Sequence, residues 1–148
     1  MHPSSCPLRG QRPKPLTRRA AMRGLLAAAA GLAAGTTARA DDDSVSLDAA
    51  RAALEAGSAV LIDVREPGET ATGVAPGAQL LPMRQLGQRL AEVPTDPSRP
   101  VLLICNTQNR SSATLRALRE RGYGHLRYVQ GGMSEWTRRG WPLVKPGP

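Results

Sequence analysis

From residue 44 onwards the chain alternates short apolar runs with segments of helical period, and that alternation predicts its elements. Val101-Leu-Leu-Ile104 is the clearest run. Four apolar residues between Pro100 and Cys105 are too few for a buried helix and predict a strand covered on both faces. Ala59 to Asp63 has the same character, and Ala78 to Leu81 and Leu126 to Val129 predict two more strands. Ser111 to Arg121 instead sets Leu115 and Leu118 on one side and Arg116, Arg119 and Glu120 on the other, which predicts an amphipathic helix. Helices are also expected over Leu47 to Ala56, capped by Ser46 and stopped by Gly57, over Arg84 to Ala91, and over Met133 to Arg138. Glu66 to Gly77 holds Pro67, Gly68, Gly73, Pro76 and Gly77 and predicts loop with at most one helical turn. Strands alternating with helices imply an α/β domain over residues 44–146, a central parallel sheet with helices on both faces.

Charge changes the picture at the N-terminus. The net charge of +8 suggests nucleic acid or an anionic surface until its distribution is read. Seven of the 20 Lys and Arg and none of the 12 acids lie in residues 1–40, which leaves 13 basic against 12 acidic residues in the rest. The basic character belongs to a leader, and no nucleic-acid partner is expected. Basic residues run to Arg23, Gly24 to Gly35 is small and apolar, and Ala38-Arg39-Ala40 offers a small-x-small cleavage site before Asp41. The apolar run is too short to span ~30 Å of hydrocarbon. Residues 1–40 therefore read as a cleavable export signal, cut after Ala40, with membrane contact only during export and a periplasmic or otherwise exported product. Thr17-Arg18-Arg19 to Arg23 resembles a twin-arginine signal, although Ala21 stands where Phe is usual. Cleavage removes Cys6 and leaves Cys105 as the mature chain's lone thiol, either buried and inert or used.

Cys105 follows a predicted buried strand and precedes a predicted helix, where open α/β sheets place their ligands. Cys105-Asn-Thr-Gln-Asn-Arg110 must curl between the two, and such a loop turns successive backbone N–H groups inward to make an anion nest. The same groups stabilise a thiolate, and Arg110 adds a positive charge with a planar fork suited to an oxyanion. These features point to Cys105 as a catalytic nucleophile rather than a core residue. Asn106, Thr107, Gln108 and Asn109 are the candidate substrate-binding residues beside Arg110, although Asn also serves turns by bonding its own backbone.

These residues and three further segments resemble the rhodanese family over about residues 44–145. Leu61-Ile-Asp-Val-Arg-Glu66 is similar to the family's "DVRE" strand end, Gly73-Val-Ala-Pro-Gly-Ala78 to its "GHIPGA", and Cys105 to Ser111 to its "CxxGxRS" loop. Gly131-Gly-Met-Ser-Glu-Trp136 with Gly140-Trp-Pro142 matches its closing "GGxxxW…GxP". The resemblance implies a rhodanese-like α/β fold and transfer of a sulfane sulfur through a cysteine persulfide, from thiosulfate or a similar donor to cyanide or a thiol. Two positions depart from the pattern: Val74 replaces a histidine, and Gln108 a glycine, which is expected to restrict a loop where glycine would reach positive φ. Four residues separate Cys105 from Arg110, whereas cysteine phosphatases and related arsenate reductases use five, so the loop resembles the sulfurtransferase version.

Asp63 and Arg65 end a strand beside the expected site, and pairing with each other or capping loop backbone is favoured over direct action on substrate. Ser111 is expected to cap the helix that follows. His125 lies in a Gly-rich turn away from the loop, and Trp136 and Trp141 suit core packing. No organic cofactor is called for, and no His/Cys/carboxylate spacing supports a metal. Three rivals stand beside the enzyme: a non-catalytic rhodanese-like module that carries or senses sulfur or docks a partner, a phosphatase or arsenate reductase, and a redox thiol protein, which lacks a resolving cysteine.

Overall fold

The computed structural model describes residues 42–147. The expected leader and its cleavage site lie outside the described residues. Five parallel strands form one sheet in the order β1-β5-β4-β2-β3, with β1 at Ser44–Val45, β2 at Val60–Asp63, β3 at Gln79–Leu80, β4 at Val101–Ile104 and β5 at Leu126–Val129. The helices are α1 (Leu47–Glu55), the single turn α2 (Pro67–Thr70), α3 (Asn109–Arg119) and α4 (Gly132–Arg138). The α/β class and the four expected strands stand, within a residue or two at their ends. No helix among the described residues is long and apolar enough to cross a membrane.

Strand alternation divides the core. Val101, Leu103 and Cys105 face one side with Ile62, Val64 and the α3 residues Leu115 and Leu118. Leu102 and Ile104 face the other with Leu61, Val129, and Leu47, Ala50, Met133 and Trp136 of α1 and α4. Every residue of β4 is buried, as the uninterrupted apolar run requires. Each such Leu, Ile or Val contributes about 1.5–3 kcal/mol of burial, which makes β4 the fixed axis of the domain.

Three local differences have clear causes. The two-residue strand β1 carries no periodic signal; it exists because Tyr128 donates its N–H to Asp43 O (2.9 Å) and Gln130 to Val45 O (3.0 Å). The helix expected over residues 84–91 is a run of turns ending in a 3-10 turn, Leu90–Glu92. Gly87 in its middle costs about 1 kcal/mol of helix propensity. Arg89 fastens the segment instead by reaching Glu92 (2.5 and 2.6 Å), Gln85 (2.8 Å) and Leu80 O (3.3 Å). The third is that α3 starts at Asn109, two residues before Ser111. Elsewhere local chemistry acts as expected: the Ser46 hydroxyl accepts from Ala49 N–H at 3.2 Å, and Gly57 takes φ 65° after the last turn of α1.

The chain leaves β2 towards β3 on one side and β4 towards β5 on the other. The strand order therefore reverses between β2 and β4, and a crevice opens at their carboxyl ends. Asp63 and Arg65 end one of these strands and Cys105 the other.

Candidate active site

Cys105 continues the alternation of β4, so its side chain points towards α3. There the sulfur meets Ser111, whose backbone N–H lies 3.4 Å from Sγ and whose Oγ lies 3.5 Å away. The Ser111 hydroxyl in turn donates to Gln108 O at 3.1 Å. Ser111 is thus not the cap of its helix. Gln108 occupies the cap position with no side-chain capping bond, and Ser111 sits two residues inside, turned onto the thiol. The thiol is buried, with only 1% of Cys105 exposed.

The loop's carbonyls are fixed from behind. Met133 donates to Cys105 O and Ser134 to Asn106 O, both at 2.8 Å. At Gly132, with φ 61°, a Cβ would lie 2.5 Å from Cys105 O and 2.7 Å from Asn106 O, with Thr107 O nearer still. Only glycine allows the start of α4 to approach these three carbonyls. In a trans peptide the N–H opposes the carbonyl, so the N–H groups of Asn106, Thr107 and Gln108 point away from α4. Those of Asn109 and Arg110 belong to the first turn of α3, which has no intrahelical partners for them. Among the described residues, none of these five consecutive N–H groups donates to a protein acceptor. Left without a protein acceptor beside the thiol, these groups are available to an anion, and the α3 dipole favours one there.

The departures from the family pattern are absorbed. Gln108 has φ −162° and ψ −9°, so the expected need for positive φ does not arise. Its side-chain oxygen accepts from Gly131 N–H at 3.1 Å and ties the loop to the turn before α4. Val74 is 3% exposed and exchanges two 2.9 Å backbone hydrogen bonds with Val144, which holds the C-terminal segment against the domain.

The structure places Arg110 differently from the open fork expected of it. Both guanidinium NH2 groups engage the carboxylate of Glu69 at 2.6 Å. That contact holds the Glu69 carboxyl below its ordinary range and the Arg110 guanidinium above its own. Glu69 was not among the expected site residues. Its signal is the capping box of Glu66 and Glu69 around Pro67, in which Glu66 N–H also reaches the Glu69 carboxylate at 3.3 Å. Asp63 and Arg65 form a buried ion pair at 2.6 Å, 0% and 5% exposed. Arg65 also donates to Gly73 O (2.9 Å) and Glu69 O (3.4 Å), so the pair fastens the α2 loop to the sheet. Asn106, Thr107 and Asn109 are exposed on the rim and contribute backbone to the nest.

Away from the loop, His125 Nε2 bonds Pro94 O at 2.9 Å. Trp136 is buried, and Trp141 meets it edge-on at 4.9 Å between Arg51 and Arg139. Among the described residues no three His, Cys, Asp or Glu side chains are grouped to hold a metal. A cavity of about 460 Å³ opens at the amino ends of the strands, lined by Ala49, Ala53, Pro100 and Leu126, and is remote from Cys105.

The sequence model of the Rhodanese-like domain matches residues 46–139, from the cap of α1 through α4. The chain belongs to this family. The rhodanese-like domain is 38% identical over 87 residues to a sulfurtransferase of Allochromatium vinosum, covering 59% of this chain and 79% of that protein. A human single-domain sulfurtransferase shares its fold with a TM-score of 0.58 and 28% identity, over 66% of this chain and 96% of that one. A thiosulfate sulfurtransferase of Pseudomonas aeruginosa matches with a TM-score of 0.62 and 28% identity over 70% of this chain. The rhodanese-like domain spans 20% of that longer chain.

Proposed function

We propose that this rhodanese-like domain transfers a sulfane sulfur from thiosulfate, or a donor of similar charge, to cyanide or a thiol by way of a persulfide on Cys105. The observation that carries this reading is the run of five unpartnered backbone N–H groups, 106–110, that starts at the lone thiol of the described residues. The Cys105 thiolate attacks the outer sulfur of thiosulfate. A new S–S bond forms, the donor's S–S bond breaks, and its electron pair leaves with sulfite. The persulfide anion retains the charge and remains facing the nest. Cyanide or a thiolate then attacks the terminal sulfur, the Cys–S–S bond breaks, and the Cys105 thiolate returns.

Ser111 assists at the first step. In the thiol form the S–H faces Ser111 Oγ, whose own hydrogen goes to Gln108 O. Once the thiol ionises, that hydroxyl can turn and donate to sulfur, alongside Ser111 N–H, and charge-assisted bonds of this kind are about twice as strong as neutral ones. Arg110 contributes its backbone N–H to the loop, and its fork is engaged by Glu69. The chemistry uses the thiolate and the sulfur atom alone, with no cofactor. We also propose that residues 1–40 export the domain and are removed after Ala40.

The test is mass spectrometry of the domain after incubation with thiosulfate, with thiocyanate release measured upon adding cyanide. Wild type gains one sulfur atom, and Cys105→Ala neither gains it nor releases thiocyanate. Absence of the added sulfur from wild type refutes the proposal, and a persulfide that no acceptor discharges favours a sulfur carrier. Hydrolysis of an aryl phosphate without persulfide formation favours the phosphatase reading.

A further inference from the structure

We infer that Glu69 is a specificity-determining residue that cancels the charge of Arg110 beside the anion nest. The donor's charge is then met by backbone N–H groups alone, which limits the site's preference for doubly charged donors. The inference rests on the sulfur transfer proposed above and adds a residue to it.

The arrangement around Glu69 is over-determined. Its carboxylate takes both NH2 groups of Arg110 at 2.6 Å and the Glu66 N–H at 3.3 Å. Its backbone carbonyl takes Arg65 at 3.4 Å, and Arg65 is locked to the buried Asp63. The acid is thus placed from the β2 side of the crevice against a cation carried by the β4 side. Arg110 stands in the first turn of α3, directly before Ser111, whose N–H lies 3.4 Å from the Cys105 sulfur, so its charge belongs to the same end of the helix where a donor would sit. A free guanidinium on this residue would add a full positive charge beside the nest; the Glu69–Arg110 pair adds almost none. Glu66 is the other acid near α2, and its carboxylate accepts the backbone N–H of Arg84 (3.4 Å) and the amide of Glu69, so it does not replace Glu69 at Arg110.

Glu69→Gln removes the charge while leaving a side chain of the same shape that can still accept from Arg110. KM is then compared for thiosulfate, a dianion, and methanethiosulfonate, a monoanion that loses a sulfinate in the same step. If Arg110 is uncovered, the gain scales with donor charge. A fall of about threefold for the monoanion should accompany about ninefold for thiosulfate, shrinking as salt rises from 20 to 200 mM. A merely structural Glu69 predicts the same change for both donors, or a loss of kcat without a shift in the KM ratio, and either result overturns the inference. Should the variant fold poorly, wild type supplies an independent measure: its KM ratio for the two donors should be nearly independent of salt, and a strong dependence overturns the inference. If wild type forms no persulfide, the reading of the site and this inference fall together. If the persulfide forms and the KM ratio does not respond, this inference alone falls.

Discussion

Gly132→Ala is the sharpest probe of how the nest is built. The new methyl would stand 2.5 Å from Cys105 O and 2.7 Å from Asn106 O, with Thr107 O closer. Ordinary C···O contact is about 3.3–3.6 Å, so to clear Thr107 O, the nearest of the three, the loop and α4 must separate by roughly 1 Å. That movement stretches the hydrogen bonds from Met133 and Ser134, each 2.8 Å long and each contributing about 1 kcal/mol. Holding alanine at φ 61° costs about 1–2 kcal/mol more. The sum is about 3–4 kcal/mol, which for a domain of this size lowers Tm by roughly 14–18 °C. Displacing the nest by nearly 1 Å slows persulfide formation by about a hundredfold. Gly131→Ala is the control. It too has positive φ, at 75°, but its Cβ would meet only the side chain of Glu135, at 2.9 Å, and not the loop. It should lose stability while keeping most of its rate of persulfide formation. Differential scanning calorimetry and stopped-flow measurement of sulfite release check both. Equal rates in the two variants, or a Tm for Gly132→Ala within about 2 °C of wild type, would refute the account of the loop's orientation.

Two further outcomes are expected. Glu69 has a carboxyl pKa depressed from 4.5 by Arg110, so the pair stabilises the fold fully above about pH 4.5 and loses that contribution as pH falls through the folded-state value. With the Glu69 side chain 37% exposed, the effect is less than ~1 kcal/mol, and the urea midpoints of wild type and Glu69→Gln should converge between pH 5 and 3. A difference that persists unchanged to pH 3 contradicts the pairing. For export, N-terminal sequencing of the protein recovered from a periplasmic fraction should begin at Asp41, and recovery of the full-length chain from the cytoplasm alone would exclude it.

How much of this was legible beforehand follows from the range of the forces involved. The sequence by itself determined the buried strand Val101–Ile104, the amphipathic helix carrying Leu115 and Leu118, and the position of Cys105 between them. Apolar runs and helical periods are local patterns, and a strand with no polar residue must be covered on both faces. It also carried the resemblance that the family match bears out, since those motifs sit at fixed strand ends and turns. Local signals failed where a contact was made across the fold. Strand β1 has two residues and no pattern of its own, and exists because the edge of β5 offers it partners. Ser111 looked like a cap because serine commonly is one; the helix began two residues earlier, and its hydroxyl sits between Gln108 O and the sulfur. Arg110 looked like a free fork because nothing nearby in sequence opposes it, yet its partner lies 41 positions away in α2. The conformation of Gln108, the glycine that admits α4 to the loop carbonyls, and the direction of five N–H groups were likewise decided by tertiary structure. Each depends on which backbone lies within about 3 Å of which, and a sequence carries that information only through the whole fold.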